Sequence, residues 1–417
     1  MKEPKGTIWF VNKDAAPINE YGTHLRTIKQ AQYFQEQGYD VKIICSARIY
    51  NSAINHLDGK KGLYIEQIHD GIPFLFVRSI AYGNSIAKRA IAYLLFSLNL
   101  GRIAKAIGKP DIIVHTSRIP FDAPVYCFAK RCGARYILDI TDLWPMEFEH
   151  FGFISSKNPI LKLFYRIERH LYSKAEHVAI SMEGCHKYII DHKWDKANGG
   201  PIDLEKIHYI NNGIDLDEFD RNAEEFSIED SDLTDESIVK VIYLGSIRKA
   251  NNVGAMIDAA KRLTDHKQIK FLIYGNGPDR EALEQRCANE GIENVIFKQT
   301  WIEPQYVPYV LQQADVNILN YSEGWAPYGG SMNKMFISFA AGKPIVCNAG
   351  MPYSPIRKHD LGIDRTFTDS QEYADAILSM CHLSPAQRDE IHSKCREVVQ
   401  EFHTHNLNKK FETLCNL

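Results

Sequence analysis

Between Tyr321 and Gly350 the chain reads YSEGWAPYGGSMNKMFISFAAGKPIVCNAG, a glycine pair followed by a helix start, a helix stop and a short apolar strand. That order suits an anion. Gly329 and Gly330 permit backbone conformations that bulkier residues resist, Ser331 or Asn333 can cap a helix, and the run from Lys334 to Ala341 continues it until Gly342 and Pro344 end it. A helix start leaves N–H groups unpaired and carries roughly half a positive charge, which holds a phosphate without a metal. The same residues also fit an ordinary helix-to-strand connection. A second basic turn, Gly245-Ser-Ile-Arg-Lys-Ala-Asn-Asn252, follows the apolar run Val239 to Leu244, so Arg248 and Lys249 are candidates to meet a diphosphate. Gly275 closes a similar run, Lys270 to Gly275, in the stretch YGNGP.

In the first half the reactive residues stand at predicted strand ends. Asp111 to Thr116 (DIIVHT) and Tyr136 to Thr141 (YILDIT) read as buried strands separated by a helix near Ala123 to Cys132, and the second runs into Asp142-Leu-Trp-Pro145. Ligands of an open parallel sheet sit beyond the carboxyl ends of its strands, which places His115, Ser117, Asp142 and Glu147 at a cleft edge. Asp142 equally suits a turn cap, and His115 a structural role.

Apolar runs alternating with helical patterns position these residues. Thr7 to Asn12, a polar loop Lys13 to Gly22, a helix from about Thr23 to Gln37 and a strand Val41 to Cys45 form the unit that gives a right-handed parallel crossover. The loop lacks G-x-G-x-x-G, which argues against a nicotinamide dehydrogenase. A helix from about Pro159 to Tyr172, a strand Glu176 to Ser181 and the turn in IHYINNGID (Ile207 to Asp215) follow. The acidic stretch to Glu236 reads as a solvated linker. Val239 to Leu244, Lys270 to Gly275, Asp315 to Leu319 and Ile345 to Cys347 then repeat the pattern. The expected fold is α/β, two Rossmann-like doubly wound domains facing a cleft: residues 1–213, residues 214–399, and a C-terminal helix within 400–417 that crosses back to the first domain.

A length of 417 residues exceeds one core, and a formal net charge of -3 gives no global attraction to nucleic acid. Nine cysteines without a C-x-x-C pair, and no apolar run long enough to span a bilayer, point to a reducing cytoplasm. Between Asp70 and Asp111 there is no acidic residue, while Arg78, Lys88, Arg89, Arg102, Lys105 and Lys109 flank an apolar helical pattern. Either this helix docks on an anionic membrane, with Tyr93, Leu94 and Phe96 entering the interface, or it is a domain helix with a solvated basic rim.

DLWP (Asp142 to Pro145), INNGID (Ile210 to Asp215), GSIRKANN (Gly245 to Asn252), YGNGP (Tyr274 to Pro278) and YGGSMNKMFISFAAGKPI (Tyr328 to Ile345) resemble, in order and over nearly the whole chain, the family 4 glycosyltransferases with the GT-B fold. The resemblance is to the bacterial branch that builds O-antigen, capsule or exopolysaccharide. It implies a retaining, metal-independent hexosyl transfer from a nucleotide-diphosphate sugar to a lipid-linked glycan acceptor. It also implies no cofactor, no nucleic-acid partner, and a cytoplasmic location, peripheral at the inner face of the plasma membrane. Carried over by position, Arg248 and Lys249 neutralise the leaving diphosphate, Glu323 with Gly324 opens the sugar-contacting loop, and Gly245, Gly275 and Gly329 to Ser331 serve the donor. Gly22, His115 and Glu147 fall on the acceptor side, with Asp142 among the catalytic candidates. One departure stands out: where the family places a ribose-binding carboxylate after Asn-Lys-x-Phe, this chain has Ile337 followed by Ser338, and Met332 replaces a common proline. Asn333 or Ser338 then takes the ribose, or the chain is a non-catalytic GT-B partner of another transferase.

Overall fold

A computed structural model describes residues 3–18, 25–50, 52–83, 85–150, 152–322 and 327–416. The chain divides into two units, Met1–Asn211 with Leu407–Leu417, and Asn212–Asn406.

Unit 1 carries strands β1 (Thr7–Val11), β2 (Asp40–Ser46), β3 (Tyr64–His69), β4 (Ile72–Val77), β5 (Ile112–Thr116), β6 (Arg135–Ile140), β7 (His177–Ile180) and β8 (Ile207–Tyr209). Their order across the sheet is β3-β4-β2-β1-β5-β6-β7-β8. Only the β3/β4 pair is antiparallel. β5 and most of β1 and β6 are buried along their length, which is why they read as unbroken apolar runs rather than alternating ones. The hairpin was not anticipated. Asp70 and Gly71 both take positive φ, 50° and 77°, and make its tight two-residue connection. From β1 the chain first builds toward β2 and β4, then returns to place β5 on the other side, so the order reverses between β1 and β5. The terminal helix Thr404–Cys415 closes unit 1, with Phe411, Leu414 and Cys415 buried beside Phe34 and the Tyr33 hydroxyl donating to Glu412 at 2.9 Å.

Unit 2 carries β9 (Val239–Leu244), β10 (Ile269–Tyr274), β11 (Val295–Phe297), β12 (Val316–Leu319), β13 (Ile345–Cys347) and β14 (Gly362–Asp364), all parallel, in the order β11-β10-β9-β12-β13-β14. Here the order reverses between β9 and β12. Among the described residues no helix is long and apolar enough to cross a membrane.

The acidic stretch after Asp215 is not a linker. Asp215 caps the helix Leu216–Glu225, accepting from the Glu218 N–H at 3.1 Å, and Leu216, Phe219 and Leu233 are buried in the unit 2 core. Its carboxylates have partners: Lys298 Nζ reaches Asp230 at 2.7 Å and Asp232 at 2.5 Å, and the Tyr274 hydroxyl donates to Asp230 at 3.0 Å. Sparse but correctly spaced apolar residues suffice when the charges between them are paired or face water. Leu233→Ala is therefore expected to destabilise unit 2 by about 2–5 kcal/mol, the range for emptying a packed leucine site. Urea denaturation checks this; a change under about 0.5 kcal/mol would restore the linker.

Candidate functional site

In unit 2 the turns after β9 and β10 lie backbone against backbone. At φ 127° Gly275 comes so close to Gly245 that an added Cβ would stand 2.0 Å from the Gly245 oxygen, and one on Gly277 would stand 2.0 Å from the Ile247 oxygen. The Gly245 N–H donates to Tyr274 O at 2.9 Å, and the Ile247 N–H to Asn276 O at 2.8 Å. Gly245 also leaves room for Lys334, whose Nζ would be 2.0 Å from a Cβ there.

Lys334 Nζ donates to the Tyr243 hydroxyl at 3.2 Å and lies 4.8 Å from that ring's centre. Burial, reinforced by the like charge of Arg248, lowers its pKa to about 8. Arg248 and Lys249 are exposed on the same turn, and among the described residues none of these three cations forms an ion pair. The turn itself is held firmly. Asn251 Nδ2 donates to Ser246 O at 2.5 Å, Asn320 donates to Asn252 O, and the Ser322 N–H donates to Ala250 O at 2.9 Å. The loop after β12 thus meets the loop after β9 where the strand order reverses, the place an open α/β sheet offers a ligand.

The Gly-Gly-Ser turn departs from expectation. Gly329 takes φ 94° whereas Gly330 does not take positive φ, and helix Asn333–Ala341 begins after Met332 with no side-chain cap. Ser331 Oγ instead accepts from the Asn212 N–H at 3.3 Å, and Asn333 is exposed. Ser338 is buried and lines a small cavity together with Ile337, Lys334 and Asn317. Period 3.6 explains this: Ser338 shares the inward face with Met335 and Phe339.

In unit 1 a second cluster stands at the β1/β5 reversal. Lys13 and Asp14, in the turn after β1, are both buried and 2.9 Å apart, and Tyr93 donates its hydroxyl proton to Asp14. Arg118, after β5, pairs with Asp142, donates to Thr141 Oγ1 at 3.1 Å and lies 5.4 Å from the Trp144 ring centre. The Arg89 guanidinium lies 5.3 Å from the Tyr50 ring and 5.7 Å from Trp144. The Tyr82 hydroxyl and the Trp144 indole N–H are buried without a hydrogen-bond partner. Glu147 is pushed up to about 8, first by burial and then by Asp142, against the pull of Arg118. Aromatic faces, unpartnered donors and a carboxyl protonated near neutrality can receive a polar ring such as a sugar.

Several expectations need correcting. His115 is not at the open edge: it is buried, with Nδ1 2.7 Å from the Tyr136 hydroxyl and Nε2 3.3 Å from Asp122, and Ser117 donates to Asp122 at 2.8 Å. Both ring nitrogens are engaged, so His115 supports the sheet. Asp142 serves as the partner of Arg118. Arg89 faces the aromatic cluster rather than a membrane, and Tyr93 and Phe96 are buried, since helix Ile86–Ile103 turns them onto the core. Ile91, Leu94 and Leu98 are its exposed apolar residues, with Lys88, Arg102 and Lys105 also exposed. Gly22, Glu323 and Gly324 lie outside the described residues. Lys334, Lys13, Asp14 and Arg118 were not foreseen as site residues. Nor was Arg26, which holds Asp139 through two hydrogen bonds (2.9 and 2.8 Å) and donates to the Asn211 carbonyl.

Two family models match the chain in tandem, one described as Glycosyltransferase Family 4 over residues 22–218 and one described as Glycosyl transferases group 1 over residues 239–382. A 2-deoxystreptamine N-acetyl-D-glucosaminyltransferase from Niallia circulans is 28% identical over 170 residues, 40% of this chain and 42% of the relative. The matches span less than half the length of the curated relatives. Among solved structures, HepE from Anabaena in complex with UDP and glucose superposes with a TM-score of 0.66 at 16% identity, covering 99% of this chain and 100% of that one. Sucrose-phosphate synthase from Thermosynechococcus elongatus does so at 0.72 and 15% identity, covering 98% of each.

Because the folded-state pKa of Glu147 lies above its unfolded value of 4.5, the native state holds the extra proton between about 4.5 and 8, and stability is lost as pH rises through that window. Glu147→Gln is expected to match wild type near pH 5 and to exceed it near pH 8 by on the order of 2 kcal/mol, allowing for partial solvent access. Urea titrations at the two pH values test this; a pH-independent difference would remove the buried carboxyl.

Proposed function

The chain belongs to the family 4, group 1 glycosyltransferases with the GT-B fold, and from that premise we propose that it transfers a sugar from a nucleotide-diphosphate donor held by unit 2 to an acceptor held by unit 1. The observation that carries this is the placing of Arg248 and Lys249 on the turn after Gly245 and of Lys334 over Gly245, with no ion pair to any of them among the described residues. Cations driven together without counter-charge are favourable only where an anion joins them, and a diphosphate supplies it.

On this reading transfer is retaining and metal-independent. The bond from the anomeric carbon to the diphosphate oxygen breaks, and the acceptor oxygen bonds that carbon on the same face. The acceptor's proton passes to the departing diphosphate, whose growing charge meets Arg248, Lys249 and Lys334. The unit 1 cluster of Arg89, Arg118, Trp144 and Glu147 receives the acceptor, a lipid-linked glycan of cell-surface polysaccharide assembly. Ile337 favours a second reading, a GT-B scaffold that binds nucleotide without turnover.

Calorimetry with a panel of nucleoside diphosphates, followed by transfer assays with the matching nucleotide sugar, separates these readings. Lys334→Met is expected to weaken diphosphate binding about 10- to 100-fold, the equivalent of one charged hydrogen bond. Wild-type affinity should fall as pH rises above about 8, where Lys334 loses its proton, while the variant stays flat. Lys249→Ala should lower kcat about a hundredfold with an unchanged Tm. Binding unaltered in both variants would overturn the donor site, and binding without transfer would establish the scaffold.

A membrane role belongs to the same reading. Ile91, Leu94 and Leu98, set among Lys88, Arg102 and Lys105 in a segment free of acidic residues, support docking on an anionic bilayer at the inner face of the plasma membrane. Each basic residue near such a surface contributes about 1 kcal/mol. Sedimentation with anionic vesicles should fall with salt and with Lys88→Glu/Lys105→Glu; wild type that ignores those vesicles at low salt would leave this helix a plain surface.

A further inference from the structure

In unit 1, helix Pro159–Lys174 and the turn after helix Cys185–Asp191 form a cavity of about 250 Å³ lined by Tyr165, Arg166, Arg169, His192, Lys193 and Trp194. The lining has aromatic rings and three strong cations but no carboxylate, and the proposed sugar transfer uses none of it. Among the described residues Arg166, Arg169 and Lys193 form no ion pair. The nearby acids are already engaged. Glu149 accepts from the Tyr165 hydroxyl at 3.1 Å, Asp191 is held by Lys187 at 2.7 Å, and Glu168 lies buried below, accepting from Tyr172 at 2.8 Å and Tyr188 at 2.7 Å.

The aromatic wall is built in place. The His192 and Trp194 ring centres are 4.7 Å apart, and those of Tyr165 and His192 are 5.1 Å apart. His192 Nδ1 lies 2.8 Å from the Tyr188 carbonyl, and burial lowers the pKa of its ring, so it stays neutral and donates there. The Trp194 backbone is clamped by Ile189 O at 3.1 Å and by the Ile202 N–H at 3.0 Å. The returning turn closes on it only because residue 200 is glycine: an added Cβ would stand 2.0 Å from the Trp194 oxygen. Lys193 holds φ 55°, a left-handed backbone that a lysine adopts at some cost.

We propose that this cavity binds a phosphate ester. Arg166 and Arg169 stand one helical turn apart, a spacing that brings two guanidinium groups onto one set of phosphate oxygens, and Lys193 adds a third cation from the turn beside them. The rings of Trp194, His192 and Tyr165 take the apolar or sugar face of the esterified body. The volume lies just below the roughly 300 Å³ where drug-sized pockets begin, room for a phosphate with a body of glycerol or single-sugar size. The same chemistry is offered by a soluble sugar or glycerol phosphate and by a phospholipid headgroup. Ile160 and Leu163 are exposed on the same helix as the arginines, within reach of an acyl layer if the source is lipid.

Two probes on the full chain distinguish these sources: calorimetry with glycerol 3-phosphate, and sedimentation with phosphatidylglycerol vesicles against pure phosphatidylcholine. At least one is expected to bind, and Arg166→Gln/Arg169→Gln should weaken that binding about tenfold or more. Both arginines are exposed, so the variant is expected to keep its Tm; Lys193→Gln, on the turn after the second helix, gives a second, independent reduction. Glycerol 3-phosphate binding identifies a soluble ester, and vesicle binding alone that persists in the Lys88→Glu/Lys105→Glu background, where the arginine pair is tested, identifies a lipid headgroup. If neither probe binds, if binding survives the arginine pair, or if it is lost with Lys334→Met instead, the proposal is overturned.

Discussion

The constraint on which unit 2 depends is the contact of Gly275 with Gly245. Because neither residue has a Cβ, the turns after β9 and β10 share one layer of backbone, and Lys334 passes over Gly245 to reach Tyr243. A side chain at position 245 would occupy the space of the ammonium group. The glycines therefore do more than bend the chain: they set how closely two like charges approach. Burial first and the like charge of Arg248 second lower the pKa of Lys334, and on the proposed reading an anion between the cations would offset both.

The same topological rule acts separately in each unit with different chemistry. At the β9/β12 reversal the cations form no ion pair among the described residues. At the β1/β5 reversal nearly every charge has a partner, Lys13 with Asp14 and Arg118 with Asp142, while Arg89 lies over rings. A site of unpaired cations suits an anion of high charge. A site of paired charges, aromatic faces and unused donors suits a neutral polar ring, which would lose affinity to a strong net field but gains orientation from fixed hydrogen bonds.

Much of this was legible in the sequence wherever one local rule decided the outcome. β9 and β13 were anticipated residue for residue because buried parallel strands are continuous apolar runs bounded by polar turns. The Asp70-Gly71 pair carries a hairpin signal too, but the same Asp70 also bounds the acid-free window that suggests a membrane-facing helix. Other features were decided by partners distant in sequence. His115 stands at a strand end yet turns inward to Tyr136 and Asp122, and Arg89 is drawn from a basic helix by the rings of Tyr50, Tyr82 and Trp144. No window of local sequence contains those partners. The acidic stretch after Asp215 misled for the same reason, its key cation lying at Lys298.

Lys298 and Lys334 show how environment separates structure from function within one unit. Both are lysines largely removed from water. Lys298 has two carboxylates within 2.7 Å, and these raise its pKa against the effect of burial, so the ammonium locks the acidic segment onto the strand edge. Among the described residues Lys334 has a phenol hydroxyl and the like charge of Arg248, and burial followed by that charge lowers its pKa. A fold free to optimise stability alone would give Lys334 a carboxylate or replace it with an apolar residue, since a buried ion without a counter-ion costs several kcal/mol. The protein has a carboxylate-rich segment and uses it on Lys298. On the proposed reading, a Lys334 that no described carboxylate pairs with, beside Arg248, gives up some stability and keeps its field for a ligand that brings its own negative charge.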